Sequence, residues 1–148
     1  MSRRSEHPVS TGTPPDASPA DAAAFTARDF RPGAIRHIVL FRFRDGTSDT
    51  QMDDVERRFR ALAYTPRDDG LPYILSIDAG PQMSLEGAGS GFDRGFIVTF
   101  ASVGDRNFYV GTPVVSDPRH VDAEHDAFKR WVAPLLAPDG VVVFDLTV

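Results

Sequence analysis

Ile35-Arg36-His37-Ile38-Val39-Leu40-Phe41-Arg42-Phe43 is dense in β-branched and aromatic residues and closes on the turn pair Asp45-Gly46. It reads as a strand. Ser48 followed three residues later by Gln51 makes a capping box. Met52, Val55, Phe59 and Leu62 then recur at helical spacing, with Asp53, Asp54, Arg57 and Arg60 on the other side.

Working outward, a loop with Pro66 and Gly70 leads to a second strand, Tyr73 to Asp78, stopped by Gly80-Pro81. Ser84 to Gly91 is glycine-rich and reads as a flexible lid beside a cavity. Phe96 to Phe100 is a third strand, and Ser102 with Asp105 caps a short helix bearing Phe108 and Tyr109. Asp117-Pro118 signals another helix start, placing Val121, His125, Phe128, Val132 and Leu135 on one stripe. After Pro138-Asp139-Gly140, the run Val141 to Val148 is a last strand.

The first 33 residues are rich in Pro, Ser, Thr and Ala and poor in large apolar side chains. They read as a disordered tail, with a short helix near Asp21 to Arg28, ahead of a single domain at 34–148. With 148 residues the chain holds one core, and 41% hydrophobic content supports it without disulfides; there is no Cys. A net charge of −5 argues against nucleic-acid binding, and no run is long enough to span a membrane. A cytoplasmic location is the expectation.

The β-α-β-β-α-β order predicts an α+β, ferredoxin-like fold, a four-stranded antiparallel sheet with its helices on one face. Side chains alternate along a strand. Ile38 and Leu40 are read beneath the helices, and His37, Val39, Phe41 and Phe43 on the opposite face. Since both faces are apolar, the uncovered one would be a larger patch than soluble monomers expose. A second copy of the chain is the economical cover, giving a homodimer.

The opening strand, its following helix, Gly80, Phe100, Tyr109 with Pro113, and the closing Val143-Phe144-Asp145 together resemble the stress-responsive A/B barrel (Dabb) domain, over roughly Ile35 to Val148. The resemblance implies a dimeric α/β barrel enclosing a small hydrophobic cavity. It implies one of three functions: a cofactor-free acid–base enzyme of polyketide-cyclase type acting on a small carbonyl compound, a non-catalytic stress-associated dimer binding a small molecule or protein, or a cofactor-independent monooxygenase. In a plant cyclase of this family a strand-one His, a Tyr and a helix His face the cavity. The matching positions here are His37, Tyr109 and His125. The chain departs from the family in having Thr112-Pro113 where His-Pro is common, and a longer segment from Val114 to Glu124, so that His120 is the alternative to His125.

Each of the three has a structural and a chemical reading. His125 titrates near neutrality as a free side chain and suits general acid–base work, or is a core histidine bonded to a carbonyl. His37 would bond a substrate carbonyl, or another strand. Tyr109 would donate to a developing enolate oxygen, or be a half-buried aromatic. No cofactor or metal is called for. His120 and His125 are five apart, off the spacing of a helical zinc pair.

Overall fold

The computed structural model describes residues 19–148; the stretch before Pro19, read above as tail, lies outside the described residues. Element order is α1 (Pro19–Phe25), β1 (Pro32–Phe43), α2 (Asp49–Ala61), β2 (Ile74–Pro81), β3 (Arg94–Ser102), α3 (Val103–Val110), α4 (Ala123–Val132) and β4 (Leu136–Thr147). The strands form one antiparallel sheet in the order β2-β3-β1-β4, so β1 lies inside it and β4 is an edge. This is the expected ferredoxin-like arrangement, with the core between the sheet and the helices on one face.

The assignment of the two sheet faces is reversed from the sequence reading. His37, Val39, Phe41 and Phe43 are the buried set beneath the helices, and Ile38 and Leu40 lie on the open face. The reason is visible in the neighbours of each set. Arg36 and Arg42 share parity with Ile38 and Leu40, and guanidinium groups are not buried under helices without partners. On the other side Phe59 of α2 stacks on Phe96 at 4.0 Å, Phe41 meets both rings, and Phe128 of α4 closes over Phe59 at 5.3 Å. Aromatic burial of this extent outweighs anything the even-numbered residues offer.

The Ser48–Gln51 capping box forms as expected. The last helix, however, starts later than Asp117. Asp117 caps a single 3-10 turn, Pro118–His120, and Asp122 is the cap of α4, its Oδ1 accepting from the His125 N–H at 3.0 Å. The same carboxylate accepts from the Tyr73 hydroxyl, so the buried Asp122 ties the start of α4 to the segment leading into β2.

Part of the stretch up to residue 33, also read as tail, docks on the domain. Ala22 and Thr26 are buried, and α3 receives the segment closely: Val103 and Gly104 donate their N–H groups to the carbonyls of Arg31 and Phe30 at 3.1 and 3.0 Å. Those two donors belong to the first turn of α3, which has no intrahelical partners for them. Gly104 permits the approach, because a Cβ built there would sit 1.8 Å from the Ala27 carbonyl oxygen. Small residues and backbone hydrogen bonds thus hold a segment that composition alone assigns to solvent. Gly104→Ala should therefore cost about 3 kcal/mol, at the upper end of overpacking penalties. Urea denaturation would show this, with hydrogen exchange rising most in residues 22–31.

Candidate active site between the sheet and the helices

A cavity of about 620 Å³ lies between the helix-facing side of the sheet and α3 and α4. Its walls are apolar, with Val39, Phe41, Val110, Phe128, Val132 and Val143 among them. Its polar groups are His37, Asp145, Arg106, His125, Lys129 and Thr112. A larger and more open groove of about 890 Å³ runs along α2 and β2 but has no histidine. The smaller cavity is where the chemistry-bearing residues meet.

His37 reaches the cavity because β1 alternation directs it under the helices, where it is 5% exposed. Antiparallel pairing sets Asp145 of β4 directly opposite. His37 Nδ1 lies 2.6 Å from Asp145 Oδ1, and Arg106 Nη1 donates to Asp145 Oδ2 at 2.7 Å. Burial works against the charge on Asp145, but the hydrogen bonds and charges of His37 and Arg106 outweigh it and hold the carboxyl below its usual range.

His125, at 8% exposure, is held differently. Its Nδ1 is 2.5 Å from the Tyr109 carbonyl oxygen, which can only accept, so Nδ1 carries the proton and Nε2 bears the lone pair. Nε2 has no hydrogen-bond partner among the described residues. Burial pushes the imidazole down to about 4; Lys129 and His37 add to this, opposed by the Tyr109 carbonyl and Asp126. At neutral pH the ring is an uncharged base.

Tyr109 packs between these groups. Its ring stacks on His125 at 3.7 Å and meets His37 edge-on at 5.6 Å. Its hydroxyl is enclosed without a hydrogen-bond partner, and burial raises its pKa above the ordinary phenol value, so it stays protonated. The structure brings His37, Tyr109 and His125 into one cluster, with the two histidines on the cavity wall and Tyr109 behind them. His120 sits in the 3-10 turn and does not line the cavity. The glycine-rich segment Ser84 to Gly91 does not line it either, which removes the lid reading.

Sequence reasoning named Asp145 only within the closing Val143-Phe144-Asp145 that carries the family resemblance, and missed Arg106, Asp122 and Lys129. The signal for Asp145 was its parity with Val141 and Val143 on a strand that pairs with β1. Among the described residues no cluster of His, Cys, Asp and Glu is arranged to hold a metal ion, and no helix is long and apolar enough to cross a membrane.

Residues 35–148 match the model of the stress-responsive A/B barrel domain. A hydroxynitrile lyase from Passiflora edulis is 21% identical, with a TM-score of 0.57 over 79% of this chain and 94% of that one. A dimeric ferredoxin-like protein of unknown function from Thermobifida fusca is 21% identical, with a TM-score of 0.54 over 80% and 94%. A Dabb family protein with a ferredoxin-like fold from Mesorhizobium loti is 20% identical, with a TM-score of 0.51 over 77% and 95%. Comparison with curated proteins gives no match. At these identities the likeness to solved structures carries the fold.

The depressed His125 has a consequence for stability. Unfolded, the ring titrates near its ordinary value of 6.5; folded, at about 4. Between those values the unfolded chain binds the extra proton, so the contribution is full above pH 6.5 and is lost as pH falls toward 4. Wild type should lose about 3 kcal/mol more than His125→Phe between pH 7 and pH 4, read from urea midpoints at each pH.

Proposed function

The chain belongs to the stress-responsive A/B barrel domain family, and from that premise we propose that it is a cofactor-free acid–base enzyme of polyketide-cyclase type acting on a small carbonyl compound. The observation that carries this reading is the pair of imidazoles, His37 and His125, each anchored through Nδ1 and both lining one apolar cavity.

In this reading His125 Nε2 removes a proton from a carbon lying between two carbonyls. Its low basicity in the empty site reflects desolvation of the imidazolium. The negative enolate formed beside it offsets that penalty, which is how a buried base becomes effective only with substrate in place. His37, bonded to Asp145 through Nδ1, donates to the second carbonyl from Nε2 in its doubly protonated form, and the proton taken up by His125 passes to the alkoxide left by the attack. The unpartnered, protonated Tyr109 hydroxyl is assigned to the enolate oxygen. Carbon–carbon bond formation follows when the enolate attacks the second carbonyl. A hydroxynitrile lyase among the structural neighbours is an instance of an enzyme on this fold.

We also infer that the chain is a homodimer. The open face of the sheet carries Ile38, Leu40, Ile97, Val142, Phe144 and Leu146, with Phe144 61% exposed. An apolar face of this kind calls for a cover, and structural neighbours are described as dimeric. The residues of the proposed interface are thus the even-numbered set of β1, not the odd-numbered set that sequence parity suggested. The cavity's apolar walls favour one second reading, a non-catalytic dimer that binds a hydrophobic small molecule.

The test is turnover of a linear poly-β-ketone thioester mimic. Wild type should cyclise it faster than buffer, and His125→Ala should lower the rate by about 10²–10⁴-fold. Tyr109→Phe separates chemistry from packing. Removing an unsatisfied buried hydroxyl should raise stability by about 1 kcal/mol while turnover falls about 10²-fold. Products and rates equal to buffer would overturn the enzymatic reading, and saturable binding without turnover would identify the second.

A further inference from the structure

Four hydrogen bonds run without a break from the N-terminal segment to His37. Asn107 Nδ2 donates to the Phe25 carbonyl at 2.9 Å, and Arg106 Nε donates to Asn107 Oδ1 at 3.0 Å. Arg106 Nη1 donates to Asp145 Oδ2 at 2.7 Å, and His37 Nδ1 meets Asp145 Oδ1 at 2.6 Å. We propose that Asn107 is a positioning residue for the His37–Asp145 pair, acting through Arg106 and anchored by the end of α1.

The chemistry of each link fixes the next. A backbone carbonyl can only accept and a guanidinium can only donate, so Phe25 and Arg106 together dictate which way the Asn107 amide points. Asn107 is fully buried at 0% exposure, where neither end of the amide has water as a substitute. Tethering Arg106 at Nε orients its planar fork, which then presents Nη1 to Asp145. The Asp145 side chain is about a quarter exposed on an edge strand and has no hydrogen-bond partners among the described residues beyond Arg106 and His37. Whatever orients Arg106 therefore orients the carboxylate that holds His37.

The anchor lies outside the residues matched by the family model, since α1 precedes them. The segment just after α1 docks on α3 through bonds that do not involve Asn107, from Val103 and Gly104 to Arg31 and Phe30. The Phe25 carbonyl is thus a fixed point and not a group that Asn107 must itself hold in place. The inference rests on the reading that His37 works in the cavity, but its test reads the His37 hydrogen bond and not turnover. A protein that turns over no substrate yet keeps the dependence retains the linkage and loses the enzymatic reading.

The experiment is proton NMR of the full chain, following the two histidine ring Nδ1–H resonances, assigned with His37→Phe and His125→Phe. In Asn107→Leu the His37 resonance should be lost to solvent exchange while that of His125, bonded to the Tyr109 carbonyl, persists. An unchanged His37 resonance in Asn107→Leu overturns the proposal. Should Asn107→Leu lose both resonances, Asn107→Ala decides, since it removes the buried amide without adding apolar bulk. Selective loss of the His37 signal there supports the linkage, and its retention overturns it.

Discussion

The parity of β1 is the constraint on which the site depends. β1 is an inner strand with β3 on one side and β4 on the other, so one choice of face commits Ile35, His37, Val39, Phe41 and Phe43 together. The helices cover that set because Phe59, Phe96 and Phe128 assemble around Phe41. His37 is carried into the core by its neighbours' hydrophobicity, and the β1–β4 register then supplies Asp145 as its partner. A polar pair inside an apolar layer follows from packing that the pair itself does not drive.

The two histidines are tuned by different acceptors. His37 faces a carboxylate that is itself steadied by Arg106; His125 faces a neutral carbonyl and suffers desolvation, with Lys129 and His37 nearby to disfavour a further positive charge. The cavity therefore holds an uncharged base beside fixed cations, an arrangement suited to charge that appears as an anion on a ligand. Tyr109 is a spacer between the two rings and the source of the enclosed hydroxyl.

Much of this was legible in the residues. Ser48 with Gln51, the Phe96 to Phe100 run and the His125–Phe128–Val132 stripe each carry a local signal that the structure repeats. What local signals could not supply was which face of a doubly apolar strand the helices would choose. Arg36 and Arg42 held that information, since their parity marks the face less suited to burial. The start of α4 was misread because Asp117-Pro118 is a good cap signal that the chain spends on a single 3-10 turn, leaving Asp122 to cap the helix. The His37–Asp145–Arg106 contact joins residues up to 108 positions apart and needs strand register, which no window of sequence contains. The docking of part of the stretch up to residue 33 was hidden for a related reason: it relies on backbone carbonyls and on the missing side chain of Gly104, neither of which shows in composition.

The central claim is that His125 is an uncharged base whose free nitrogen lies on the cavity wall. The direct measurement is the protonation and tautomer of its ring from nitrogen chemical shifts and long-range proton–nitrogen couplings in the labelled protein at pH 7. The account predicts a proton on Nδ1 and a bare Nε2. A doubly protonated ring, or a proton on Nε2 instead, would contradict it.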